Sequence, residues 1–354
     1  MYPILAVVKQ LESEKGSPSE VCYVGNPSGI EATLTAKAGV SFQGISTTRL
    51  RGSAPWVLPW RLATLARGTT QSINAIDSFA PEAVLATGGY VCAPLILAAW
   101  IRRVPSLMYL PDVAPGLAIR VLARFVTRIA VSFARSKSFF SPGKAVLTGY
   151  PVRPELFNAD KPASRGRLDL DDEERTVLVF GGSQGAHSIN VAVSEVLTEL
   201  LRVCQLIHIT GEGDEPWLKA QRDELPLALS GRYKIHAYLH EEMIDALAAA
   251  DLVVARAGAA TTAEFPALGL PSILIPYPHA GQHQELNADY MVEMGAAVKI
   301  DDADLRKDIL LQTVVGLLED QQKLVSLGNG ARRLAQPNAA HRIAELLKET
   351  ARPN

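Results

Sequence analysis

The sequence predicts an α/β chain of two doubly wound domains, and three observations carry that expectation. Short runs rich in Val, Ile and Leu alternate with longer amphipathic stretches, the pattern of parallel strands joined by crossover helices. The 354 residues suit two domains of ordinary size, and an apolar content of 48% supplies a core for each. A stretch at 153–175, rich in Pro, Asp, Glu, Lys and Arg and with little periodicity, separates one alternating series from the next and reads as a linker.

The opening MYPILAVVKQLESEKG reads as an amphipathic helix, with Ile4, Leu5, Val8 and Leu11 on one stripe and Gly16 as its stop. Strand, helix and strand follow over 21–24, 30–38 and 41–45, then a helix near 60–79, a strand over 83–86, a helix over 92–103 and a strand over 106–109. A helix in first place is unusual. The first strand of a doubly wound sheet lies in its middle, so without it the neighbouring strands would keep unpaired backbone groups. Beyond the linker, strands are expected over 177–180, 205–209, 233–237, 252–255, 272–275 and 297–300, and a last helix over about 339–350 follows Pro337.

The longest apolar run, 90–101, contains Pro94 and stops at Arg102 and Arg103, short of the roughly 18 residues that span a bilayer. No basic segment precedes the apolar start, as a secretory signal would require, so a cytoplasmic location is expected. Cys22, Cys92 and Cys204 lie far apart in apolar surroundings and indicate neither a disulfide framework nor a zinc site. A net charge of −2 argues against a general nucleic-acid binder. The charge is uneven, however: residues 1–152 hold 15 bases and 7 acids, and residues 153–354 hold 20 bases and 30 acids. Arg120, Arg124, Arg128, Arg135, Lys137, Lys144 and Arg153 occur between Asp112 and Glu155 without an acid among them. This asymmetry suits a first domain that rests on an anionic membrane surface. The segment APWVLPWRLATLAR at 54–67 mixes Trp56, Trp60 and leucines with Arg61 and Arg67, which fits either a headgroup interface or a core helix with a basic face.

The richest stretch is RAGAATTAEFPALGLPSILIPYPHAGQHQELN, Arg256 to Asn287. An apolar strand stops at Gly258, and Thr261, Thr262 and Glu264 open a helix, so NH groups suited to a phosphate and a carboxylate suited to a vicinal diol reach the carboxyl edge of the sheet. An ordinary βαβ unit with a solvated Glu gives the same pattern. Gly181-Gly182-Ser183-Gln184-Gly185 follows the strand 177–180 directly and reads as a diphosphate loop, with Ser183 the side chain to reach the ligand. Thr87-Gly88-Gly89-Tyr90 is an analogous loop in the first domain, equally readable as a packing turn. His279 and His283 stand four residues apart, but Gly281 between them opposes a helix and no Glu accompanies them, so no metal is expected.

The Arg256–Asn287 stretch resembles the donor-site signature of the MurG glycosyltransferases. Gly181 to Ala186 and Gly149-Tyr150-Pro151-Val152-Arg153 match two further motifs of that family in its order, and the similarity covers nearly the whole chain. The resemblance implies the GT-B architecture, two Rossmann-like domains facing across a cleft: an acceptor and membrane domain at 1–152, rejoined by the helix in 337–354, and a UDP-sugar domain at 153–336. It implies transfer of N-acetylglucosamine from UDP-GlcNAc to an undecaprenyl-pyrophosphate-linked muramyl pentapeptide on the cytoplasmic side of the membrane, with inversion. The family stabilises the leaving diphosphate with helix dipoles and a cation, so no metal or other cofactor is implied. Arg153 falls where the family has an arginine on the nucleotide sugar, Gln284 where it has a sugar-contacting Gln, and Asn287 in the same polar helix. Gly88, Gly89 and Tyr90 match its acceptor-side loop.

Departures from the family are informative. His240 replaces an aliphatic residue near the uracil, and Glu285 stands where some members have a second Gln. Asp112 occupies the place of an asparagine, where its carboxylate either orients or deprotonates the acceptor hydroxyl or caps the following helix. Family members open with a strand and a GGTGGH-type loop ahead of Tyr-Pro, here Tyr2-Pro3, so a natural start about 10–20 residues upstream is expected, carrying the histidine that is the family's candidate base. Other lipid-directed hexosyltransferases, a UDP-sugar 2-epimerase of the same architecture, and a non-catalytic UDP-sugar binder if Met1 is genuine are the competing readings.

Overall fold

A computed structural model describes residues 2–13, 19–48, 55–182, 185–278 and 283–352. The chain divides into two compact units, one made of Met1–Pro151 with Asn338–Asn354, the other of Val152–Pro337.

In the first unit the strands are β1 (Cys22–Gly25), β2 (Ser41–Gly44), β3 (Val84–Ala86), β4 (Ser106–Leu110), β5 (Arg128–Val131) and β6 (Ala145–Leu147). The helices are α1 (Tyr2–Glu12), α2 (Ile30–Lys37), α3 (Leu58–Phe79), α4 (Ala93–Arg102) and α5 (Leu117–Leu122). The strands form two separate parallel sheets, β1-β2 and β3-β4-β5-β6, so β1 and β3 are both edge strands among the described residues. Strand β4 is buried on both faces, as its unbroken SLMYL run requires. Met108 and Leu110 turn toward the core under α3, α4 and α5, while Leu107 and Tyr109 turn toward Val7, Leu11, Ile343 and Leu346. The face of α1 that the chain's last helix covers is thus Val7 with Leu11, while Ile4 and Leu5 of the expected stripe are only half-buried.

The second unit has β7 (Thr176–Phe180), β8 (Gln205–Ile209), β9 (Tyr233–His236), β10 (Leu252–Ala255), β11 (Ser272–Leu274) and β12 (Ala297–Lys299). Its helices are α6 (Lys161–Arg167), α7 (His187–Ser194), α8 (Leu197–Val203), α9 (Glu215–Asp223), α10 (Leu227–Ser230), α11 (Met243–Ala249), α12 (Thr261–Leu268), α13 (His283–Glu293), α14 (Lys307–Glu319) and α15 (Gln321–Leu334); α16 (Ala339–Ala351) belongs to the first unit. All six strands are parallel in the order β12-β11-β10-β7-β8-β9. Val177 and Val179 serve one core layer and Leu178 and Phe180 the other, so each face carries its own helices. The order reverses between β7 and β10. In an open α/β sheet the crevice outside that switch point is where ligands bind.

The stretch 153–175 is not a plain linker. Pro154–Asn158 forms a 3-10 turn and α6 follows, its N-cap Asp160 accepting a 2.8 Å bond from the Ala163 N–H. Arg165 is buried, reaching Asp251 at 2.8 Å, and Lys161 reaches the other oxygen of the same carboxylate at 2.7 Å. Charge that reads as solvated in the sequence is spent on docking α6 to the sheet.

Candidate functional site

Two loops leave the sheet at its switch point, one after β7 and one after β10, and the second leads to Thr261, Thr262 and Glu264. The β7 loop needs glycine. Gly185 has φ +76°, and a Cβ there would lie 2.3 Å from the Thr210 carbonyl oxygen, so the loop rests directly on the backbone after β8. Ser183 and Gln184 lie outside the described residues. Helix α7 begins just beyond, aimed by its Asn190, whose amide donates to the Thr210 carbonyl at 2.8 Å and to Asp214 at 2.7 Å.

The β10 loop turns into α12, whose N-cap Ala260 has no side chain to cap the helix. Its first-turn dipole therefore points at the switch point without a competing side-chain oxygen. Thr261 and Thr262 are buried, and their hydroxyls donate to Gly258 and Ala259 carbonyls at 2.7 Å each. They brace the turn, so a ligand there would meet backbone NH groups rather than threonine hydroxyls. Glu264, one turn further, keeps a fifth of its side chain exposed and stands 3.9 Å from Arg153, which is itself partly exposed. Burial pushes the Glu264 carboxyl above its ordinary pKa, and the Arg153 charge pulls it back. Both are thus half-desolvated and only loosely paired, an arrangement open to a ligand that satisfies them separately.

Gln284, in the first turn of α13, accepts the Tyr277 N–H on Oε1 at 2.9 Å, which fixes the direction in which its Nε2 points. Asn287 is fully buried and donates to the Ala257 carbonyl at 3.1 Å, tying α13 to the β10 loop. That burial removes it from direct sugar contact and makes it a brace. His240 is exposed in the loop after β9, edge-on to Tyr238 with ring centroids 4.7 Å apart, and its backbone N–H donates to Glu242 Oε2 at 3.3 Å. His279 lies outside the described residues.

In the first unit Gly88 has φ +77°, and a Cβ there would stand 2.5 Å from Ile119, so the Thr87–Tyr90 loop needs glycine to lie against α5. Gly89 is exposed and Tyr90 half-buried. Asp112 is half-buried after β4, and its carbonyl accepts from Ser136 Oγ at 3.5 Å. The N-cap of α5 is Gly116, four residues beyond Asp112.

Arg256, at the end of β10, escapes sequence reading. It is 7% exposed and its guanidinium meets the Ile275 and Pro276 carbonyls, Asp302 and Ser188. A lone basic residue ending an apolar strand was its only signal.

Two family models match the chain: the glycosyltransferase family 28 N-terminal domain over residues 1–131 and the family 28 C-terminal domain over residues 176–345. A UDP-N-acetylglucosamine–N-acetylmuramyl-(pentapeptide) pyrophosphoryl-undecaprenol N-acetylglucosamine transferase of Roseiflexus sp. (strain RS-1) is 41% identical, covering 92% of this chain and 82% of its own. The transferase of the same name from Desulforamulus reducens is 37% identical over 99% of this chain and 95% of its own. Among solved structures, the MurG of Acinetobacter baumannii aligns with a TM-score of 0.77 at 25% identity, covering 98% of this chain and 95% of that one. A UDP-GlcNAc 2-epimerase from Neisseria meningitidis, at 14% identity and TM-score 0.69, shares the fold.

Proposed function

The chain belongs to glycosyltransferase family 28, and from that premise we propose that it transfers N-acetylglucosamine from UDP-GlcNAc to undecaprenyl-pyrophosphoryl-MurNAc-pentapeptide, forming lipid II in peptidoglycan synthesis. The observation that carries the donor half is the Glu264–Arg153 pair beside the uncapped start of α12 at the switch point. A ribose diol offers Glu264 two O–H donors, and Arg153 offers its fork to the diphosphate, so nucleotide binding replaces a poor 3.9 Å contact with several good ones.

In this reading UDP lies along the carboxyl edge, with the base near His240 and the ribose on Glu264. The diphosphate lies between Arg153, the N-terminus of α12 and the Ser183 loop, and the sugar is turned toward Gln284. Charge on the leaving diphosphate grows as the anomeric bond breaks, and Arg153 with the helix dipoles meets that charge without a metal. The acceptor hydroxyl attacks the opposite face and inverts the anomeric centre. Gly88, Gly89 and Tyr90 bind the acceptor, and Asp112 orients its hydroxyl. Attachment is peripheral on the cytoplasmic face of the membrane: no helix among the described residues is long and apolar enough to cross a bilayer, while Trp56 and Trp60 are 80% and 75% exposed beside Arg61.

Purified protein given radiolabelled UDP-GlcNAc with and without the lipid-linked acceptor tests the reading. Label moving to the lipid only when acceptor is present is expected; release of a free epimer, or binding without transfer, would replace it with an epimerase or a binding subunit.

A further inference from the structure

The geometry points to Arg256, held by Asp302 and Ser188, as a positioning residue that sets how the donor's sugar is read, acting through Tyr277 and Gln284 without touching the ligand. The proposal rests on the function proposed above and deepens it. Arg256 Nη2 donates to Ser188 Oγ at 2.7 Å, Ser188 Oγ donates to Asp302 Oδ1 at 2.9 Å, and Asp302 Oδ1 accepts from Arg256 Nη1 as well. The ring of three links β10, the second residue of α7 and the turn after β12, three elements that are distant in the chain. Nη1 also reaches the Ile275 and Pro276 carbonyls at 3.2 and 3.4 Å, and the guanidinium lies over the Tyr277 ring at 5.3 Å.

These contacts matter because of where the ladder stops. The β10–β11 register ends at Ala255 and Leu274, and the Ile275 N–H still donates to the Ala255 carbonyl at 2.9 Å, so Pro276 and Tyr277 follow directly on the end of the ladder. Just past that point the Arg256 fork grips the Ile275 and Pro276 carbonyls, and the Tyr277 N–H donates to Gln284 Oε1, which orients the Gln284 amide. Helix α7, by contrast, has an anchor of its own in Asn190, bonded to Thr210 and Asp214. Constraint therefore runs from a fixed α7 through Ser188, Asp302 and Arg256 to the segment that aims Gln284. A planar guanidinium can serve two carbonyls, a carboxylate and a hydroxyl at once; an ammonium cannot.

Loosening the fork should cost sugar discrimination and spare nucleotide binding, because a selective site loses most when its polar groups are misaimed. Calorimetry with UDP, UDP-GlcNAc and UDP-GalNAc on the wild-type protein, Arg256→Lys, Asp302→Asn and the milder Ser188→Ala reads this, with thermal melting alongside. Expected in the variants is a UDP Kd within about twofold of wild type, together with a preference for UDP-GlcNAc over UDP-GalNAc reduced by about fivefold or more. An unchanged preference in all folded variants, or equal losses for UDP and both sugars, would overturn the proposal. A wild-type protein that binds UDP but prefers neither sugar overturns it too and leaves the nucleotide site standing, while one that binds no nucleotide overturns both readings. Should Arg256→Lys fail to fold, Ser188→Ala decides, since it deletes only the two bonds of a half-buried serine hydroxyl and leaves the guanidinium and the carboxylate in place.

Discussion

At the scale of single residues, Glu264 is where sequence and structure bear on the same chemistry. Replacing it with Ala removes two hydrogen bonds to a charged acceptor, each worth about 1.5–3 kcal/mol, so UDP affinity should fall at least about tenfold by calorimetry; an unchanged dissociation constant would remove Glu264 from the ribose site. Its raised pKa gives a pH sign as well: the carboxylate proposed to accept the diol is lost sooner on acidification than at an ordinary Glu, so UDP binding should weaken on the acid side. Glu264, Gln284 and Arg153 stand out in the sequence because each belongs to a short contiguous motif. Thr261, Thr262 and Asn287 belong to the same stretch, but a motif does not say that their side chains bond the Gly258, Ala259 and Ala257 carbonyls, as they do. Arg256 was illegible as a partner of Ser188 and Asp302, which lie 68 and 46 positions away in the chain.

At the scale of elements, α7 depends on a buried chain of polar groups. His208 Nδ1 faces the Tyr233 hydroxyl at 2.8 Å and Nε2 faces Asn190 Oδ1 at 3.0 Å, both on the interior of the sheet. Burial drives the His208 pKa from 6.5 down to about 3, opposed by the Asp214 charge. An unfolded chain protonates this histidine below pH 6.5 while the folded one keeps it neutral to about pH 3, so its contribution is complete above 6.5 and is lost as the pH falls between those values. Denaturant unfolding of the wild type should lose stability on acidification more steeply than His208→Gln; parallel curves below pH 6.5 would clear His208 of the effect. Most elements were readable from alternating apolar runs, as β7, β8 and β10 show. The misses have physical causes. Strand β6 is three half-buried residues, β5 begins with Arg128, and α6 is a KPASRGR stretch whose buried Arg165 is compensated by Asp251, far off in sequence. Periodicity reports burial of apolar side chains and is silent where ion pairs do the docking.

At the scale of the whole molecule the two units differ chiefly in charge. Residues 1–151 with 338–354 hold 18 bases and 9 acids, net +9, and the second unit holds 17 bases and 28 acids, net −11. A basic unit with exposed Trp56, Trp60 and Leu62 on α3 and the turn before it has the composition that the proposed contact with anionic headgroups calls for. Such binding has two separable parts. The electrostatic part draws on charges spread over the unit and is screened by salt, because the Debye length shrinks from about 10 Å at 0.1 M to about 3 Å at 1 M. The apolar part draws on the two tryptophans and is indifferent to salt. Co-sedimentation with phosphatidylglycerol-containing vesicles should therefore weaken at high salt without vanishing, and Trp56→Ala with Trp60→Ala should lower the salt-resistant remainder. Binding that ignores both anionic lipid content and salt would refute the electrostatic part, and an undiminished remainder in the double variant would return α3 to the reading of a helix with a solvated basic face.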